Sequence, residues 1–178
     1  QKPQELFLYT LSSPNNITVS ILNYGATIVD ITSPDIRGIT DSIIVRHPDL
    51  ISYQTFIPKI YLGSTIGRYA RCIQESTFIL DGKQISLTAN YQRHHFHGGK
   101  LGFDSYVWYE KSFYSSSSKA ILKLGLLSKN GDEGYPGNVL VQAIFSLDIF
   151  NNLRIQYIAK SDQTTPCDIT NHTFWNLS

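Results

Sequence analysis

The hydrophobic pattern of the chain repeats mainly every two residues, the signature of strands with one buried face. Ile17, Val19 and Ile21 alternate with Thr18 and Ser20, which predicts a strand early in the chain. Phe78 to Leu80, the pair Asp81-Gly82, and Ile85 to Leu87 predict a hairpin. Asp-Gly tolerates the positive φ angles that a tight two-residue turn demands. Val139, Val141, Ala143, Phe145, Leu147 and Ile149 predict one long strand, and Asn151-Asn152 turns it into a second through Leu153, Ile155, Tyr157 and Ala159. Helical spacing is nearly absent: only residues 46–60 have room for a single turn, after Pro48. The Ser115–Ser118 run reads as a polar loop tip. With no internal repeat and no domain boundary, the expected class is an all-β sandwich of many strands joined by polar loops.

Composition changes this picture little. A chain of 178 residues, 42% hydrophobic and 16% charged, suits one domain with a sizeable core. Its 11 tyrosines and 9 phenylalanines fit pleated surfaces. The net charge of +1 gives no electrostatic reason to expect nucleic acid or an anionic membrane as partner. No apolar run is long enough to cross a bilayer. Cys72 and Cys167, far apart and alone, read as two reduced thiols rather than a disulfide framework or a metal knuckle. The chain starts at Gln1 and contains no methionine, so a trimmed or processed N-terminus is expected, and a removed signal peptide would leave the same trace. Its last segment, TTPCDITNHTFWNLS over 164–178, has no polar tail. Phe174, Trp175 and Leu177 at a free end would leave much apolar surface unburied, so the expectation is a chain that stops in mid-domain.

Candidate chemistry concentrates in five segments: NYGATIVDI at 23–31, GSTIGRYARCI at 63–73, HHFHGGKLGFD at 94–104, NGDEGYPG at 130–137 and TNHTFWNLS at 170–178. His94, His95 and His97 invite a metal reading, but no carboxylate or cysteine stands beside them at zinc-like spacing. In an extended segment His95 and His97 share one face and His94 takes the other, which predicts a single pocket histidine rather than a metal cluster. Gly98-Gly99 then permits unusual backbone angles and close approach of a ligand. His172, set among Asn171, Thr173, Phe174 and Trp175, is either a core histidine satisfied by neighbouring amides or a general acid beside an aromatic wall. NGDEGYPG is most simply a turn, which leaves Asp132 and Glu133 in solvent.

Together the five segments are far more specific than any one of them, and their order resembles the aldose 1-epimerase (galactose mutarotase) family. That family carries N-Y-G-A-T, G-R-x-A-N-R-I, N-x-L-H-G-G, D-G-x-E-G-Y-P-G and T-N-H-x-Y-F-N-L. The matching stretches here are NYGAT, GRYARCI, HHFHGG, NGDEGYPG and TNHTFWNL. The resemblance implies a galactose mutarotase-like β-sandwich, or supersandwich, incomplete at its C-terminus, with residues 1–178 as the N-terminal portion of a single domain. It implies His172 as the acid that protonates the sugar ring oxygen and His97 as a sugar ligand. The family's Asn-Arg pair, which also contacts substrate, falls on Arg71 and Cys72, and a thiol cannot supply a guanidinium's forked donors. Arg71 stands one residue early, facing the other way in a strand unless a bulge re-aims it. His94 likewise replaces the asparagine that opens N-x-L-H-G-G. The family's catalytic glutamate and sugar-binding aspartate fall beyond Ser178.

In function, the resemblance implies an isomerase that interconverts the α and β anomers of free aldohexoses such as galactose and glucose. The reaction needs one acid and one base on either side of the sugar, and neither a cofactor nor a metal. The partner is a monosaccharide, and cytoplasmic placement is the family default, with secretion left open by the N-terminus. The 178-residue chain alone, an acid without its base, is expected to forfeit on the order of a hundredfold or more in rate. A non-catalytic sugar-binding relative is the alternative that Arg71-Cys72 favours, and a β-sandwich accessory domain of a larger carbohydrate-active enzyme is a third. If the enzymatic reading holds, His172 and His97 should share one open cavity.

Overall fold

A computed structural model describes residues 5–177. Strand makes up 47% of the structure and helix 8%, so the class is all-β, as the two-residue period requires. The strands in chain order are β1 (Leu8–Ser12), β2 (Thr18–Leu22), β3 (Thr27–Pro34), β4 (Thr40–Ser42), β5 (Thr65–Ile66), β6 (Cys72–Ile73), β7 (Thr77–Leu80), β8 (Lys83–Ser86), β9 (His95–Phe96), β10 (Tyr109–Ser115), β11 (Lys119–Ser128), β12 (Val139–Asp148), β13 (Leu153–Ser161) and β14 (Thr170–Asn171). Among the described residues there is one α-helical turn, α1 (Ser52–Thr55), within the stretch that had room for one.

Two antiparallel meanders form the body. One runs β1-β2-β3-β4 and the other β10-β11-β12-β13. Alternation, with a register shift in the β2–β3 pairing that leaves Val29 unpaired, puts Leu11, Val19, Ile21, Ile28 and Ile31 on the inner face of the first sheet. Leu122, Leu124, Val141, Ala143 and Phe145 line the inner face of the second. All ten belong to one buried cluster, so the sheets share a core. The expected strands over 139–149 and 153–159 are β12 and β13, paired in register with Phe145 opposite Ile155. The expected hairpin is β7–β8: Asp81 has φ 49° and Gly82 φ 74°, both positive as a primed two-residue turn needs.

Three short ribbons accompany this body: β5 with β14, β6 with β9, and β7 with β8. The first two carry the candidate histidines. β5 and β6 belong to one stretch of chain, so residues 63–73 bridge two ribbons whose other strands come from distant segments. His172 immediately follows β14 and His97 immediately follows β9. That bridge brings together two histidines 75 positions apart in sequence.

Candidate active site

The backbone of residues 63–73 holds both histidines. His172 donates its N–H to the Ser64 carbonyl at 2.9 Å and accepts from the Gly63 N–H at 3.0 Å. His97 is held twice by Arg71: its N–H donates to the Arg71 carbonyl at 2.8 Å, and the Arg71 N–H donates to its ring Nδ1 at 3.1 Å. The two imidazole centroids lie 5.1 Å apart, with planes at 80°. Tyr61 touches both rings, edge-on to His97 at 5.0 Å and tilted to His172 at 5.9 Å. Phe96 lies 3.8 Å from His97, and Phe174 lies 5.0 Å from His172.

These contacts fix the chemical state of His97. A ring nitrogen that accepts from a backbone N–H carries no proton of its own, so the neutral ring holds its hydrogen on Nε2. Burial pushes the His97 pKa down to about 4, and the neighbouring His172 acts in the same direction. His97 is therefore uncharged at neutral pH and presents an Nε2–H donor. His172 is half-buried, and among the described residues its ring makes ring contacts but no hydrogen bond. A core histidine satisfied by amides is not what the structure contains.

Several expectations need correction. His95 and His97 do not share a face. Strand β9 ends at Phe96, and His97 adopts φ 51°, so the alternation breaks between the two histidines. His95 points into the core, fully buried, with Nδ1 donating to the Thr88 carbonyl at 2.7 Å and Nε2 2.7 Å from the Tyr135 hydroxyl. It is a locked structural group, with its proton on the opposite nitrogen from His97. Asp132 and Glu133 are half-buried and do more than face solvent. Asp132 accepts from the Lys129 N–H at 2.7 Å and the Ser128 hydroxyl at 3.0 Å. Glu133 accepts from the Lys100 and Leu101 N–H groups at 3.1 and 2.9 Å. A Cβ on Gly99 would overlap the Glu133 carboxylate, so the second glycine of HHFHGG makes room for this clamp.

Arg71 and Cys72 both have exposed side chains. Arg71 sits just before β6 with φ 72°, outside the strand alternation that would have turned it away. Its backbone positions His97, and Cys72 pairs with Phe96. The two histidine rings are in direct contact. Two hollows adjoin them, and Tyr61 lines both. One, of about 130 Å³, includes His47, Tyr53, Lys59, Ser64 and Asp104. The other, of about 460 Å³, includes Asn90, Tyr91, Phe96 and Lys100.

Sequence reasoning missed Tyr61, Arg68 and Asp104. Arg68 is 2% exposed, and its guanidinium donates to the Ser128, Lys129, Pro136 and Gly137 carbonyls and to the Ser128 and Thr165 hydroxyls. Asp104 is buried and paired with Lys59 at 2.8 Å; desolvation raises its pKa and the lysine opposes that rise. The available signal was placement, since Arg68 and Asp104 lie inside two of the five segments and Tyr61 lies two residues before one.

A two-sheet sandwich that holds paired histidines on short flanking ribbons is a galactose mutarotase-like architecture. The chain superposes on a galactose 1-epimerase from Lactobacillus acidophilus with a TM-score of 0.88 at 30% identity, covering 99% of this chain and 51% of that one. An aldose epimerase homologue from C. elegans gives a TM-score of 0.88 at 25% identity, covering 97% of this chain and 51% of that one. The family model described as aldose 1-epimerase matches residues 8–178, and the chain belongs to that family. Galactose mutarotase from Bos taurus is 32% identical over 92% of this chain and 46% of its own length. Aldose 1-epimerase from Haemophilus influenzae is 33% identical over 96% of this chain and 47% of its own. The chain thus spans about half the length of these relatives.

Proposed function

We propose that the protein to which this chain belongs is a mutarotase, interconverting the α and β anomers of free aldohexoses such as galactose and glucose. The observation that carries this reading is the perpendicular imidazole pair, one ring held neutral and the other ring free of hydrogen bonds among the described residues. In the proposed reaction His172, protonated, gives its proton to the ring oxygen of the sugar. A carboxylate base from the part of the relatives' length beyond this chain removes the proton of the C1 hydroxyl. The ring opens to the aldehyde, rotation about C1–C2 presents the other carbonyl face, and reclosure returns both protons.

His97 binds a sugar hydroxyl through Nε2–H, and because it is uncharged it places no like charge against a protonated His172. The exposed Arg71 and Cys72 border the sugar beside it. The reaction consumes no cofactor, since nothing is oxidised and no group is transferred.

Polarimetry of freshly dissolved α-D-galactose or α-D-glucose with the full-length polypeptide tests the proposal. Relaxation faster than buffer is the expected result, and His172→Asn should slow it by about a hundredfold or more. Relaxation at the buffer rate, with sugar binding intact, would replace this reading with a non-catalytic sugar-binding relative. Undiminished turnover in His172→Asn would remove that residue from the acid role.

A further inference from the structure

Tyr61 stands out on two independent grounds. Its backbone lies in the left-handed region at φ 57°, where an aromatic residue is strained and glycine is at ease. Strain of this kind persists where the side chain is needed in one place. Among the described residues, its ring is also the one group that touches both histidines and lines both adjoining hollows. It meets the His97 imidazole edge-on at 5.0 Å, and Lys59 Nζ lies 6.0 Å from the centre of the same tyrosine ring. We propose that Tyr61 is a positioning residue: its ring walls the imidazole pair off from the adjoining hollows, keeping His97 dry and its ring perpendicular to that of His172.

This deepens the mutarotase reading, from which it takes the roles of the two histidines. The groups that face His97 are few. They are His172 after β14, Tyr61 and Phe96 by their rings, and the Arg71 backbone. The charged side chains around these groups are the exposed Arg71, Lys59 beside the Tyr61 ring with its partner Asp104, and Glu133, which holds the N–H groups of Lys100 and Leu101. Among the described residues, none of them makes a side-chain hydrogen bond to His97. Water admitted by loss of the Tyr61 ring would therefore be the main new influence on that imidazole.

The test monitors the His97 ring by long-range proton–nitrogen NMR in the full-length polypeptide without sugar, its signal assigned by its absence in His97→Gln. Tyr61→Gly removes the ring and suits the positive φ, and Tyr61→Asn is a second variant that tolerates this backbone. Tyr61→Phe keeps the ring. In the parent and in Tyr61→Phe, His97 is expected to stay neutral down to about pH 4. In Tyr61→Gly and Tyr61→Asn its midpoint should rise by about one pH unit or more towards the ordinary value.

An unmoved midpoint in a folded Tyr61→Gly would overturn the proposal, as would an equal rise in Tyr61→Phe. Loss of the fold in both Gly and Asn variants would also overturn it, because Tyr61 would then be a core residue. No sugar enters the experiment, so absence of mutarotation would sink the functional reading and leave this result standing.

Discussion

The three histidines of HHFHGG show how much one backbone angle decides. His95 continues the strand and is locked by Thr88 and Tyr135, whereas His97, at φ 51°, leaves the strand and meets His172. His94 accepts from the Glu75 N–H at 3.1 Å. Burial lowers the pKa of both His95 and His97, in the latter case to about 4. The unfolded chain takes up these protons as pH falls through the ordinary histidine value of about 6.5, but the folded chain does not until much lower. The stability these rings contribute as neutral groups is therefore complete above about pH 6.5 and lost progressively towards about pH 4. Denaturant unfolding across that range should show the decline, and His97→Gln should flatten it. A flat profile in the parent would contradict the burial of these rings.

At the scale of elements, two glycines with positive φ carry different loads. Gly82 turns the β7–β8 hairpin with nothing near a Cβ placed there, so Gly82→Ala should cost only the backbone penalty of about 1–2 kcal/mol. Gly98 follows His97 at φ 85°, and a Cβ there would overlap the Gly67 carbonyl oxygen. Gly98→Ala must push the two ribbons apart, and it should both destabilise the protein more than Gly82→Ala and alter the His97 ring signals. Comparing the two unfolding midpoints checks this. The hairpin was legible in the sequence because Asp-Gly is a local instruction. The demand at Gly98 was not, because its neighbour Gly67 lies 31 positions away in sequence.

Over the whole molecule, Arg68 joins the sandwich to the ribbons. It leaves the chain next to β5, and its fork reaches the carbonyls of the β11–β12 connection and the Thr165 hydroxyl beyond β13. Its guanidinium also lies 5.4 Å from the Tyr135 ring, whose hydroxyl meets His95. A lysine keeps the charge but not the fork, so Arg68→Lys should leave several buried carbonyls without donors. The expected loss is about 3 kcal/mol or more, read from denaturant unfolding. A loss under about 1 kcal/mol would mean that water replaces the fork.

The order of residues was enough to establish the all-β class, the long strands β12 and β13, the hairpin, the α-helical turn and the family, because alternation, turn pairs and motif order are written locally along the chain. It also singled out His97 and His172. It took the folded chain to bring these two rings into contact, to make His95 a core group, to turn Glu133 and Asp132 into backbone clamps, and to stand Tyr61 against both His97 and His172. Each of those facts depends on segments far apart in sequence being folded side by side, and on single left-handed residues that break a strand's period. No local pattern encodes either.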